Sequence, residues 1–264
     1  MTRHSRPRLV FLILLSLVSL AGTSVRAADA PPKSDGKIRI VLAGDSTVTD
    51  SAGWGKGFAK CFDDKVEVIN LSRGGRSSKS FINEGVWKKC LALKPDYVLI
   101  QFGHNDQKLE DPSRGTEPQT GYRQYMNQYV DDARAAGIKP VLVTSLSRRQ
   151  WGADGKIHST LIPYVDVVKE IAAEKKVPLI DLHARSIELY EKLGKEGVLP
   201  LSPMKDAEPK PKDSKASDSP KTAPAKVYDG THLNAKGSDV IGPIVAEELK
   251  KVVPELAPHV TCGS

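Results

Sequence analysis

Apolar residues come in two textures along this chain. Short β-branched runs recur as "IRIVLAG" at Ile38–Gly44, "VEVINL" at 66–71, "YVLIQFG" at 97–103, "KPVLVTSL" at 139–146 and "VPLIDLH" at 177–183. Unbroken runs of this kind, rather than alternating ones, suit strands buried on both faces. Between them lie longer segments with apolar residues at helical spacing, at 54–64, 79–93, 120–137 and 160–176. A last one, 235–253, opens after Asn234. Strand and helix in alternation predict a parallel sheet covered by helices on both faces. Right-handed crossovers leave few ways to wind it. The expected architecture is α/β: a three-layer α/β/α sandwich on a five-stranded parallel sheet, of flavodoxin-like type.

Two segments fall outside this pattern. Residues 202–226, "SPMKDAEPKPKDSKASDSPKTAPAK", are Lys, Pro, Ser, Asp and Ala with almost no apolar bulk. Such a stretch cannot bury enough surface to offset its chain entropy, so disorder is expected there. Too little chain follows it to form a second domain. It is read as an insertion in one domain spanning 28–264. The other segment is the beginning. Basic residues 1–8 are followed by "LVFLILLSLVSLAGT" and then small residues. These are the three regions of a signal peptide, with the cut expected after Ala27. The apolar run is short for a spanning helix of about 20 residues. The expected location is therefore secreted or periplasmic, with no membrane attachment after cleavage.

The leader changes the charge picture. The chain of 264 residues carries +7, but Arg3, Arg6, Arg8 and Arg26 belong to the leader, so residues 28–264 carry only +3. No basic stripe with interleaved aromatics is present, which argues against nucleic acid as a partner. The three cysteines, Cys61, Cys90 and Cys262, match no zinc or redox spacing. Export permits a disulfide, and an odd count leaves at least one thiol over. Cys61 and Cys90 both fall on predicted helices, where a bridge and two buried free thiols remain equally open.

Ligands of an open parallel sheet gather outside the carboxyl ends of its strands. After the first strand stands "GDS", with Ser46; after the second, "NLSRGGRSS", with Gly74, Gly75 and Arg76; after the third, "GHND", with Asn105. Just before the last helix stands "DGTHLN", with Asp229 and His232. Taken alone, each part has an ordinary explanation. Ser46 suits a helix cap, Gly74–Gly75 a loop, Asn105 a turn, and Asp229-Gly230 a turn beside a packed histidine. Together they supply what acyl transfer needs. A serine hydroxyl is a weak nucleophile until a base takes its proton. His232 fits that role, and Asp229 would hold the imidazole tautomer and stabilise its charged form. The Ser46 and Gly75 backbone N–H groups and the Asn105 amide would donate to the oxyanion. His104 competes as base but has no acid three residues away, and His183 reads as structural.

These four blocks, in this order, resemble the SGNH (GDSL) hydrolases, and most nearly their rhamnogalacturonan acetylesterase branch. That branch shows GDST, N-x-x-x-x-G-R-S, GHND and D-x-T-H, matched here from Gly44, from Asn70, from Gly103 and from Asp229. The likeness runs over most of 38–252, including "TSLSRRQW" and "YVDVVKEIA". It implies Ser46 as nucleophile, Asp229 and His232 as acid and base, and Gly75 and Asn105 as oxyanion donors, with no metal or other cofactor. The 202–226 insertion departs from the pattern. There is no G-x-S-x-G elbow, no H-E-x-x-H and no P-loop.

For substrate, Arg76, Arg148, Arg149 and Trp151 are expected at the same rim. Arginines suit uronate carboxylates, and an indole suits a sugar face. The leading expectation is a carbohydrate O-acetylesterase acting on an acidic, pectin-like polysaccharide. A lipase- or thioesterase-like relative would need a long apolar groove, whereas the loops here are polar. A silent polysaccharide-binding relative would tend to have lost one of the five site residues.

Overall fold

The computed structural model describes Met1, residues 36–206 and residues 226–263. Residues 2–27 of the expected leader and residues 207–225 of the expected disordered segment lie outside the described residues. Five strands form one parallel sheet in the order β2-β1-β3-β4-β5. They are β1 (Ile38–Gly44), β2 (Val66–Asn70), β3 (Tyr97–Gln101), β4 (Lys139–Val143) and β5 (Leu179–Ile180). Alternation along β1 divides the core in two. Ile40 and Leu42 face Trp54, Phe58, Ile241 and Val245 on one side. Val41 and Ala43 face Phe81, Trp87, Met126 and Tyr129 on the other. Ile40, Val41 and Leu42 are fully buried, each contributing about 1.5–3 kcal/mol. Helices α1 (Gly55–Ala59), α6 (Leu182–Gly197) and α7 (Ala235–Val252) cover the first face, and α2 (Ser78–Asn83), α3 (Val86–Ala92), α4 (Arg123–Ala135) and α5 (Ile162–Lys175) the second. This is the expected three-layer sandwich. Among the described residues no helix is long and apolar enough to cross a membrane.

Several boundaries differ from expectation. The helix expected over 79–93 is two helices, broken between Asn83 and Val86. The run "VPLIDLH" is strand only at Leu179–Ile180, because Asp181 caps a helix the periodicity did not predict. Its carboxylate accepts from the Ala184 N–H at 3.3 Å and from Thr144 Oγ1 at 2.9 Å. That helix, α6, hides its pattern by burying His183 and Ser186 beside Leu182 and Tyr190. Each finds a partner inside: His183 Nδ1 meets the Ser145 carbonyl at 2.8 Å, and Ser186 Oγ receives the Ser147 N–H at 3.0 Å.

Disorder throughout 202–226 is corrected at both ends. Met204–Asp206 (β6) pairs antiparallel with Lys226–Tyr228 (β7), because the two ends meet in register and satisfy each other's backbone groups. The cysteines also resolve: Cys61 is bonded to Cys262, 201 residues away, and Cys90 is free and buried. Cys61 lies just past α1 and Cys262 just past the final turn, whose Thr261 N–H already donates to the Cys61 carbonyl at 2.8 Å. On α3, burial pushes the Cys90 thiol up to about 12.

Candidate active site

The strand order reverses at β1, so the carboxyl ends of β1 and β3 open a crevice, with Gly44 beside Gln101 in register. The chain leaves β1 in a tight turn. Asp45 Oδ1 accepts from the Thr47 N–H at 2.8 Å and Thr47 Oγ1 at 2.7 Å, while the Val48 N–H returns to the Asp45 carbonyl at 3.2 Å. Only glycine fits at 44, since a Cβ there would stand 2.5 Å from Val48 Cγ2 and 2.8 Å from the Gln101 carbonyl oxygen. Asp45, Thr47 and Val48 are buried, and Ser46 is left half-exposed at the tip.

The Asp229–His232 turn comes from the other end of the chain and is held from beneath by Arg149. The Arg149 guanidinium donates to the carbonyls of Asp229 at 2.8 Å and His232 at 2.6 Å, and to Tyr190 Oη at 3.2 Å. Its own N–H donates to the Gly230 carbonyl at 2.8 Å. Above it, Asp229 Oδ1 accepts the N–H groups of Thr231 at 2.7 Å and His232 at 3.0 Å, leaving Oδ2 to meet His232 Nδ1 at 2.9 Å. His232 Nε2 then stands 2.8 Å from Ser46 Oγ. Burial pushes the Asp229 carboxyl up, but these hydrogen bonds outweigh it and hold the group down at about 2. The acid is therefore ionised beside the imidazole over the whole neutral range.

The turn after β2 also comes up to Ser46. A Cβ on Gly74 would lie 3.7 Å from Ser46 Cβ, so the turn after β2 passes directly over the serine. Gly75 adopts φ +79°, which L side chains rarely adopt. Neither its N–H nor that of Ser46 has a partner among the described residues. Asn105 is buried, and its amide donates one hydrogen to the Arg76 carbonyl at 3.0 Å. That bond fixes the amide and leaves its second hydrogen unassigned.

Asp106, the last letter of "GHND", is a hub the sequence reading did not single out. It accepts from the Ser78 N–H and Oγ, the Gly103 N–H at 3.1 Å and Thr116 Oγ1 at 2.9 Å, tying the turns after β2 and β3 together. Burial raises its carboxyl to about 6 despite these donors. His104 does not reach Ser46; it is buried with Nδ1 3.4 Å from Asp45 Oδ2.

The expected rim residues divide. Arg149 is corrected from rim to interior: it is 7% exposed and occupied by the turn it supports. Arg148 is half-buried, with Nη2 on the His104 carbonyl at 3.4 Å and Nη1 against Gln107 Oε1. Arg76 stays at the surface, bonded to Glu84 at 3.0 Å and the Gly74 carbonyl at 2.9 Å. Trp151 is half-buried, bridged to Ile157.

A half-exposed hydroxyl on a fixed imidazole–carboxylate pair, beside the glycine turn after β2, suits acyl transfer. Known proteins agree. The GDSL-like Lipase/Acylhydrolase family model matches residues 42–240. The chain is 37% identical to a Bacillus subtilis rhamnogalacturonan acetylesterase, RhgT, over 84% of this chain and 94% of that one. It is 27% identical to a rhamnogalacturonan acetylesterase of Emericella nidulans, over 76% of this chain and 80% of that one. Among solved structures, the Bacillus subtilis protein YXIM shares the fold with a TM-score of 0.65 at 23% identity, covering 84% of this chain and 58% of that longer one. The chain belongs to the GDSL-like lipase/acylhydrolase family, whose model spans both the Ser46 turn and the Asp229–His232 turn.

Proposed function

We propose that this enzyme is an exported serine esterase that removes O-acetyl groups from a carbohydrate, an acidic, pectin-like polysaccharide. Ser46 Oγ attacks the acetyl carbonyl carbon and passes its proton to His232 Nε2. Asp229 holds the imidazole tautomer through Nδ1 and stabilises the imidazolium. The carbonyl oxygen, now an oxyanion, is received by the N–H groups of Ser46 and Gly75 and by Asn105 Nδ2. Collapse breaks the bond to the sugar oxygen, which takes the proton from His232. The acetyl group stays on Ser46. Water then enters, gives its proton to His232, attacks the acetyl carbon and releases acetate. The proton returns to Ser46.

The observation that carries this reading is the hydrogen-bonded line Ser46 Oγ, His232 Nε2, His232 Nδ1, Asp229 Oδ2, with steps of 2.8 and 2.9 Å across its two contacts. The sugar substrate is supported by the relatives' names. Export is supported by the leader and by the Cys61–Cys262 disulfide. The test is acetate release from a panel of acetylated polysaccharides, beside p-nitrophenyl esters of rising chain length. Acetate is expected to be preferred over octanoate, and acidic polymers over neutral ones. Preference for octanoate would make the enzyme a lipase-like acyl hydrolase instead.

A further inference from the structure

At Gly75 a groove of about 500 Å³ opens at the surface. Arg76, Lys79, Glu84 and Arg114 line it together with small polar side chains. Two other hollows, around Tyr97 and Lys139, lie at the opposite ends of β3 and β4 and have no access to Ser46. The groove at Gly75 is contiguous with the proposed oxyanion donors, so a polymer whose acetyl ester lies at Ser46 has a neighbouring sugar within reach of it.

Its three cations are not equivalent. Arg76 is neutralised by Glu84 at 3.0 Å. Lys79 Nζ donates to the Pro112 carbonyl at 2.7 Å, a neutral partner that leaves its charge uncompensated. Arg114 turns Nε and Nη2 to a single oxygen, Asp111 Oδ2, at 2.7 and 2.5 Å. Its Nη1 has no partner among the described residues and would stand 3.9 Å from a Cβ placed on Gly75.

Both side chains are fixed by the same tight turn. The Asp111 N–H reaches the Lys108 carbonyl at 2.9 Å, and the Gly115 N–H returns to the Asp111 carbonyl at 2.6 Å. The Asp111 carboxylate also receives the Ser113 N–H at 3.0 Å, and hydrogen bonds from Ser113 and Arg114 hold it down at about 2. The Thr116 N–H then joins the Asp106 carbonyl at 2.9 Å. The free edge of Arg114 is thus held rigidly relative to the Asn105 turn.

We infer that Arg114 and Lys79 form a carboxylate-binding subsite for a uronate residue beside the acetylated sugar. This rests on the carbohydrate esterase reading above. A guanidinium with a free N–H edge and an ammonium nearby suit a carboxylate by charge-assisted hydrogen bonds. A neutral sugar would leave the Lys79 charge uncompensated and the Arg114 Nη1 edge unused. Selection acts on binding the polymer, since neither group reaches the reacting carbonyl.

The test compares kcat/KM on an acetylated galacturonan oligosaccharide with that on an acetylated xylan oligosaccharide. It is run on wild type, Arg114→Gln and Lys79→Gln, with circular dichroism as the folding control. The expected result is a wild-type selectivity for the acidic substrate that falls roughly tenfold in either variant, mainly through KM, and that also falls in wild type at high salt. Lys79→Gln loses only one bond to a carbonyl, so it remains informative if Arg114→Gln fails to fold. Unchanged selectivity in folded variants overturns the subsite while leaving the esterase reading intact. A wild type that releases acetate from xylan but not from the acidic substrate overturns both the subsite and the acidic-substrate reading. Failure on every polysaccharide overturns the carbohydrate reading itself.

Discussion

Ser46 Oγ and His232 Nε2 stand 2.8 Å apart although 186 residues separate them in the chain. The first lies on the turn leaving β1, the second on the turn entering α7, and each turn has its own anchor. Removing the hydroxyl should therefore remove the chemistry without disturbing either turn. Ser46→Ala is expected to lower kcat on an aryl acetate by roughly 10⁴–10⁶-fold, with unchanged thermal unfolding. A folded variant with wild-type turnover would exclude Ser46 as the nucleophile.

Asn105 separates a turn residue from an oxyanion donor. Its amide already donates to the Arg76 carbonyl at 3.0 Å, so Asn105→Ala costs one buried hydrogen bond, about 1 kcal/mol of stability. If the second amide hydrogen meets the oxyanion, the transition state loses a donor that the ground state uses less. The expected loss is then roughly 10²–10³-fold in kcat, with KM nearly constant. Steady-state kinetics on an aryl acetate decide it. Unchanged kcat would leave Asn105 as a turn residue only.

Arg149 offers a test of rim against interior. A substrate arginine, once removed, raises KM and leaves stability alone. A buried guanidinium supporting the Asp229–His232 turn does the opposite. Arg149→Met leaves the carbonyls of Asp229 and His232 and the Tyr190 hydroxyl without their donor. The expected cost is about 3 kcal/mol or more in urea unfolding. kcat should also drop, as His232 loses its fixed position relative to Ser46. A KM effect on polymer at unchanged stability would return Arg149 to the rim.

What the sequence disclosed follows from the physics of each element. Strands buried on both faces leave unbroken apolar runs, so all five were legible. The site residues were legible because strand ends, chain order and chemistry converged on one rim. The orientation of Arg149 was not, since two adjacent arginines in "SRRQW" carry no mark of which one turns inward. Helix α6 was missed because its inward positions His183 and Ser186 are polar and break the apolar periodicity; their partners lie in the loop after β4. The Cys61–Cys262 bond depends on where the chain end packs, which no local spacing encodes. Asp106 was passed over beside Asn105, although a carboxylate in a turn flanked by buried strand residues signals donors brought in from elsewhere.

That buried carboxylate gives the chain a pH dependence with a definite sign. Burial raises Asp106 to about 6 in the folded protein, from an ordinary value of 3.8. The folded state therefore holds this proton more tightly than the unfolded chain does. The stability associated with the protonated form is fully present below 3.8 and is lost as pH rises through about 6. A shift of this size corresponds to about 3 kcal/mol. Other carboxylates, Asp229 among them, move the other way, so the total curve does not isolate Asp106. The difference between wild type and Asp106→Asn does. The variant loses acceptors for Ser78, Gly103 and Thr116 at every pH, a constant offset, but it has no proton to release at this position. Urea unfolding of both proteins from pH 4 to pH 7 should show wild type losing stability relative to the variant by about 2.4 kcal/mol, most of that shift. Parallel curves would mean that the four donors hold Asp106 ionised throughout, and that the turns after β2 and β3 are joined by a charge rather than by a titrating acid.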